Sequence, residues 1–148
     1  MSSERVLLER LRGLLAQICD ALGYAHSQGV IHRDVKPANI IISDGGRVKL
    51  TDFGISKLLE AGGEEQTQAK GTPQYMAPEQ LGPHTVSLDG RTDLWALGVT
   101  LYECLTMQLP FQGATRQAMI QSILTREPIR PRQVNPAIPK DLEVVVLT

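Results

Sequence analysis

A few polar residues have side chains suited to handling protons, cations and negatively charged oxygen atoms. Asp34, Lys36 and Asn39 lie in one short segment, and Asp52 follows later in the chain. Carboxylate and amide oxygens are the donors that hard divalent cations prefer, and a lysine ammonium is a compact positive charge. An isolated aspartate in a loop is more often a turn former or a cap, so the surrounding sequence has to decide between these roles.

The elements on either side of these residues predict where they meet. Gly29 follows an amphipathic helix predicted over residues about 4–27. Two strands are then predicted over residues 39–43 and 47–51, joined by the turn sequence Asp44-Gly45-Gly46. Asp34 precedes the first strand and Asp52 follows the second. We therefore expect both carboxylates at the open end of one β-hairpin.

The rest of the chain predicts further helices. Residues 52–91 are interrupted by glycine and proline, with one short helical piece at 78–81. Asp93 is predicted to cap a helix over 94–106 that is apolar on nearly every side and therefore buried, and Thr115 to cap another that ends near Thr125. A proline-rich loop and an apolar segment over 142–147 follow. The pattern predicts an α+β chain that is predominantly α-helical.

Composition excludes several classes of protein. The chain has 148 residues, 42% of them hydrophobic, which fits one soluble globular domain. Its formal net charge of -1 argues against a nucleic-acid binder. Its apolar runs are shorter than the roughly 18 residues that a membrane-spanning helix needs. The N-terminus has no secretory signal pattern, so the default expectation is a cytoplasmic location.

The two cysteines show no spacing typical of metal ligation or redox chemistry. Cys19 and Cys104 lie within apolar helical patterns, without a second cysteine or a histidine at a ligand-like spacing. Both are therefore predicted to be small core residues.

Four motifs occur in a fixed order. They are HRDVKPAN at residues 32–39, DFG at 52–54, GTPQYMAPE at 71–79 and DLWALG at 93–98. Together they resemble the C-terminal lobe of a eukaryotic-type (Hanks-type) serine/threonine protein kinase, most like the bacterial members, over nearly all of the chain. The resemblance implies one partial kinase domain over 1–148, truncated at both ends, with its short β-hairpin at the active site.

The resemblance also implies a role for each residue of the site. Asp34 would orient the substrate hydroxyl and accept its proton, and Lys36 would contact the γ-phosphate of ATP. Asn39 and Asp52 would bind Mg²⁺, which usually takes one or two protein ligands and completes its shell with phosphate and water. Thr72 would form a hydrogen bond near Asp34 and Lys36. ATP and Mg²⁺ are thus the implied cofactors, and proteins bearing Ser or Thr the implied substrates.

Further positions acquire expectations from the same resemblance. Ile41 corresponds to an apolar residue beneath the adenine ring, although it also fits an ordinary core strand residue. His32 and Phe53 correspond to members of a stacked column anchored near Asp93.

An activating phosphate is a further expectation. Thr67 is a candidate phosphorylation site, with Arg33 as the receiver of its phosphate. Ser56 and Thr72 are alternative hydroxyl groups in the same region.

Several parts of a complete kinase are not found in this sequence. It contains no G-x-G-x-x-G loop and no strand lysine of the V-A-I-K type. The arginine that pairs with the residue matching Glu79 is expected in a last helix that the chain does not reach. We therefore expect a catalytic-lobe fragment that is inactive alone and needs a missing N-terminal lobe or a kinase partner. The alternative is a non-catalytic module that binds kinase substrates or partners, and a longer parent could still be membrane-anchored.

Overall fold

The computed structural model describes residues 3–53, 73–82 and 87–148. Its helices and strands, in chain order, are α1 (Ser3–Ser27), β1 (Ile40–Ile42), β2 (Val48–Leu50), α2 (Pro78–Leu81), α3 (Arg91–Thr106), α4 (Arg116–Thr125), α5 (Pro131–Val134) and α6 (Lys140–Leu147). Two single 3-10 turns lie at Pro37–Asn39 and Pro73–Tyr75. The predicted class, α+β and predominantly helical, is confirmed.

Helix α1 ends where its sequence predicts. Gly29 adopts a left-handed conformation with φ of 74°, which glycine tolerates without a steric penalty, and its N–H donates to the carbonyl of His26. In the middle of α1, Gln17 bonds to the hairpin twice, donating to Gly46 O at 2.9 Å and accepting from Val48 N at 3.0 Å. The helix therefore fixes the closed end of the hairpin.

The predicted hairpin is confirmed, with each strand one residue shorter at both ends. β1 and β2 pair antiparallel, with Ile40 opposite Leu50 and Ile42 opposite Val48. A further bond from Thr51 N to Asn39 O, at 2.9 Å, continues the pairing toward the open end. The segments that carry Asp34 and Asp52 are thus held side by side.

Helix α3 is the buried centre of the fold. It carries nine buried residues and shares a core with α1 and the loop before β1, formed by Ile18, Leu22, Val35, Ala96 and Leu97. The prediction that Asp93 caps this helix is wrong, because the helix begins at Arg91 and its N-cap is Gly90, which makes no side-chain cap bond. Asp93 instead lies inside the first turn, where its carboxylate is free to accept other donors.

A second core lies between α3 and α4. Phe111, Met119 and Ile123 are buried there, and the rings of Trp95 and Phe111 stack at 5.9 Å between centroids. The predicted cap of α4 is confirmed, since the Thr115 hydroxyl accepts from Ala118 N at 3.1 Å. This core supports the segment that leads into α2.

Two details of the sequence reasoning are wrong. Cys19 and Cys104 are exposed, not core residues. The proline-rich loop also contains α5, which begins at Pro131, a residue suited to the first turn of a helix because it has no N–H to satisfy. None of the helices in the described residues is long and apolar enough to cross a membrane.

Position 90 needs a glycine because a larger side chain has no room there, and not because the backbone conformation demands one. Its φ of -60° and ψ of -18° suit any residue, but a Cβ there would lie 2.6 Å from Nδ1 of His26. We expect Gly90→Ala to lower the free energy of unfolding by about 1–3 kcal/mol, measured by urea denaturation. Gly13→Ala is the matched control, because nothing lies within 4 Å of that Cβ position on α1, and it should stabilise by up to about 1 kcal/mol. Equal effects at the two positions would contradict this explanation.

Candidate active site

The loop before β1 brings three of the predicted site residues together. The Nδ2 atom of Asn39 donates to the backbone carbonyl of Asp34 at 2.8 Å and to its Oδ2 atom at 3.1 Å. The ammonium of Lys36 lies 3.4 Å from the same Oδ2 atom. One carboxylate oxygen is therefore held by an amide and a cation at once, which fixes the direction in which the Asp34 side chain points.

Asp52 lies at the same end of the hairpin. Asn39, directly before β1, is paired with Thr51 through the N–H of Thr51 and, at 3.3 Å, through its hydroxyl. Asp52 follows Thr51 with a left-handed φ of 53° and an exposed side chain. The antiparallel pairing thus gathers Asp34, Lys36, Asn39 and Asp52 at one open edge, which is the position expected from the sequence.

The His32 ring links the segment before β1 to the segment after β2. The ring is fully buried, and Nε2 lies 2.9 Å from the carbonyl of Thr51. Because a carbonyl can only accept, Nε2 carries the hydrogen, and Nδ1 is left to accept from the backbone N–H of Asp34 at 3.2 Å. The ring of Phe53 packs on the His32 ring, with 4.3 Å between the two ring centroids. A single neutral tautomer of His32 therefore links both aspartate-bearing segments.

Asp93 anchors this arrangement to the central helix. Its side chain is fully buried, and Oδ2 accepts from His32 N at 2.8 Å and lies 2.7 Å from Nε2 of His26. Its Oδ1 accepts from Arg33 N at 2.8 Å. A buried carboxylate is costly unless its oxygens are satisfied, and here both oxygens have N–H donors. The backbone just before Asp34 is consequently fixed to α3.

A second acid of α3 holds the segment before α2. Glu103 accepts a 2.6 Å hydrogen bond from the hydroxyl of Tyr75. Burial of the phenol, the hydrogen bond and the nearby negative charge all raise the pKa of Tyr75 above its ordinary value. Glu79 accepts from the hydroxyl of Thr92 at 2.9 Å. Its carboxylate is therefore not left without a donor.

Not every predicted position can be placed. Thr72 and Thr67 lie outside the described residues. Ile41 is 51% exposed, so it is not the ordinary core strand residue that the sequence also allowed, and its adenine role stays a prediction. The Nε atom of Arg33 is buried without a hydrogen-bond partner in the described part of the chain, which is compatible with the predicted role of Arg33 as an anion receiver.

Sequence reasoning missed two residues that bond to the buried acid Asp93 and to Glu79. His26 and Thr92 bond to Asp93 and Glu79 respectively, although neither belongs to a motif segment that was assigned chemistry. Both contacts join residues far apart in sequence, and neither shows a local periodicity or cap pattern. The only signal in the sequence was that each is a polar residue in a helix with many apolar residues.

The donor set fits a magnesium ion. The amide nitrogen of Asn39 is committed to Asp34, so the carboxamide oxygen is the atom left to face a cation, and Asp52 contributes an exposed carboxylate. Two such oxygen ligands match the low protein contribution that Mg²⁺ usually accepts when phosphates fill its other positions. The arrangement can therefore place a cation between the protein and a phosphorylated molecule.

The family model and the relatives that match this chain are all protein kinases. Residues 2–144 match the family described as protein kinase domain. The serine/threonine-protein kinase PknB of Mycolicibacterium smegmatis is 42% identical over 137 residues, which cover 90% of this chain and 22% of the relative. The serine/threonine-protein kinase Pkn1 of Myxococcus xanthus is 46% identical over 142 residues, covering 90% of this chain and 20% of the relative. The chain thus spans about a fifth of the length of these relatives.

Loss of the Asp93 carboxylate should destabilise the chain strongly. Asp93→Ala leaves the buried N–H groups of His32 and Arg33 without an acceptor, and we expect the free energy of unfolding to fall by about 3 kcal/mol or more. Urea denaturation measures this change, and amide exchange at His32 and Arg33 should accelerate. Asp20→Ala is the control, because Asp20 is exposed on α1. A loss for Asp93→Ala as small as for this control would contradict the anchoring role.

The Tyr75–Glu103 contact predicts a dependence on alkaline pH. Because the native pKa of Tyr75 is raised, its stabilisation is complete below the unfolded value of about 10 and is lost as the pH rises above it. The fall in unfolding free energy between about pH 9.5 and 11 should therefore be smaller in Tyr75→Phe than in the wild type. Tyr24→Phe, at an exposed position, should keep the wild-type fall. Identical alkaline profiles for wild type and Tyr75→Phe would contradict the assignment.

Proposed function

The chain belongs to the protein kinase family, with bacterial serine/threonine kinases among its relatives, and on this premise we propose that it is the catalytic lobe of such a kinase. In this role it transfers the γ-phosphate of ATP to serine or threonine hydroxyls of proteins. The observation that carries the proposal is the Asp34 carboxylate held by Lys36 and Asn39 beside the segment that bears Asp52.

Each residue of the open edge has a task in this reaction. When bound, Mg²⁺ would neutralise charge on the phosphate oxygens. Asn39 and Asp52 would hold that ion through their oxygens, and Asp34 orients the attacking alcohol and takes its proton. Lys36, 3.4 Å from Asp34 in the structure, offers its ammonium to the transferred phosphoryl group. Positioning and charge are the main requirements of this chemistry.

We also propose that transfer requires a second lobe over this edge. The sequence contains neither the glycine-rich loop nor the strand lysine that hold the other phosphates. Ile41 and Ile42 on β1 are each about half exposed. An apolar cavity of about 150 Å³ also opens between β1, α1 and α3. Exposed apolar surface of this kind is typical of an interface, which supports a covering partner here.

Arg33 is proposed to receive a phosphate on the segment that carries Thr67. The support is its buried Nε atom, which has no hydrogen-bond partner among the described residues. A phosphate would provide charge-assisted bonds to the guanidinium group. Protein isolated in an active state should therefore carry phosphate between residues 55 and 70 by mass spectrometry.

A chimera tests the catalytic proposal. The sequence that precedes the matched region in the Mycolicibacterium smegmatis relative is joined to this chain, and phosphate transfer from ATP to a Ser/Thr peptide is measured. We expect transfer by the chimera and none above background by the chain alone. Asp34→Asn should reduce the rate of the chimera at least about 100-fold, the lower range for loss of a positioned acid–base group. Asp44→Asn, in the exposed hairpin turn, is the matched control.

A readout without turnover accompanies the assay. Mn²⁺ with ATP should broaden the amide resonances of Asn39 and Asp52 in the labelled chain, and Asp52→Ala should remove this broadening. A folded but inactive chimera without the broadening would overturn the catalytic proposal. If that chimera still bound a protein substrate, the alternative of a non-catalytic binding module would be favoured. Equal rates for the chain alone and the chimera would overturn the need for a second lobe.

A further inference from the structure

Gln80 uses both ends of its side-chain amide. Its Oε1 atom accepts from the backbone N–H of Ala77 at 3.0 Å, which closes the first turn of α2. Its Nε2 atom donates to the backbone carbonyl of Arg33 at 3.2 Å, across a sequence separation of 47 residues. One side chain therefore joins the start of α2 to the residue that precedes Asp34.

The backbone of Arg33 is unusual and is held on both sides. Its φ of 69° is in the left-handed region, which residues other than glycine seldom occupy. Its N–H donates to Oδ1 of Asp93 at 2.8 Å, and its carbonyl accepts from Gln80. A strained conformation persists only where surrounding contacts determine it. These two bonds supply such contacts at Arg33.

Helix α2 is itself attached to α3. The carboxylate of Glu79, next to Gln80 in the chain, accepts from the hydroxyl of Thr92 at 2.9 Å. Thr92 in turn adjoins Asp93, which binds the Arg33 N–H. The three segments therefore close a triangle in which α2 contacts the catalytic loop, the catalytic loop contacts α3, and α3 contacts α2.

We propose that Gln80 is a positioning residue for Asp34, which acts by holding the carbonyl of Arg33 in the left-handed turn. That carbonyl belongs to the same peptide unit as the N–H of Asp34, so a donor on it fixes the plane from which the Asp34 side chain departs. The proposal rests on the proposed function of Asp34. It adds a direct mechanical link from the segment before α2 to the proton-accepting group.

Two substitutions at Gln80 separate its two bonds. Gln80→Glu keeps an acceptor for the Ala77 N–H but has no donor for the Arg33 carbonyl when ionised. Gln80→Met has a similar length and can make neither bond. Tyr102→Phe is the remote control, because the Tyr102 hydroxyl likewise donates to a backbone carbonyl, that of Ile129 at 2.9 Å.

The measurement is made on the full chain by NMR and needs no catalytic activity. We expect the amide of Asp34 to exchange with solvent about threefold to tenfold faster in both Gln80 variants, the range for loss of one neutral hydrogen bond. The carbonyl carbon of Arg33 should shift in both variants. In Tyr102→Phe the Asp34 amide and the Arg33 carbonyl should remain as in the wild type.

Other outcomes at Arg33 and Asp34 would overturn the proposal. Wild-type values at Arg33 and Asp34 in Gln80→Glu, with changes only in Gln80→Met, would mean that Gln80 merely caps α2. Equal acceleration in Tyr102→Phe would mean a global loss of stability. If Gln80→Glu does not fold, a wild-type Asp34 exchange rate and a wild-type Arg33 carbonyl shift in Gln80→Met overturn the proposal. Failure of the phosphate-transfer chimera with these shifts present would overturn the catalytic role of Asp34 but leave the Gln80 contact established.

Discussion

The buried carboxylate of Asp93 is the interaction on which the rest of the site depends. It accepts hydrogen bonds from the backbone N–H groups of His32 and Arg33 and contacts the imidazole of His26. The carboxylate is tolerated at this depth because backbone N–H groups donate to both of its oxygens and because it lies in the first turn of α3, where the helix dipole favours an anion. The central helix therefore positions the loop that carries Asp34.

Positioning then passes through the backbone of the hairpin. His32 spans from the N–H of Asp34 to the carbonyl of Thr51, and Asn39 pairs with Thr51 at the open end. The two bonds to Thr51 join the segment before β1 to the segment after β2. The two strands are short, so they cannot hold this geometry by pairing alone, and the contacts to α1 and α3 supply the remaining order.

Functional groups and supporting groups are distributed differently in this fold. Lys36 and Asp52 are partly or largely exposed, as expected for groups that meet a ligand. His32 and Asp93, which bond to the backbone of the segments that carry these groups, are fully buried. Between these layers lies Arg33, whose left-handed backbone and buried guanidinium nitrogen make it the point where backbone strain and positive charge coincide. Such outliers persist where several independent contacts agree on one conformation.

The sequence by itself determined the local elements and the placement of the acids at one hairpin. Amphipathic periodicity predicted α1, the Asp-Gly-Gly turn predicted the hairpin, and the Thr115 cap predicted α4, because each depends on neighbouring residues alone. Only the tertiary structure decided that Asp93 binds the loop before β1 instead of capping its helix, that Cys19 and Cys104 are exposed, and that Gln80 reaches Arg33. These outcomes depend on which face of one element meets another, and a hydrogen bond across tens of residues leaves no periodic trace in the chain.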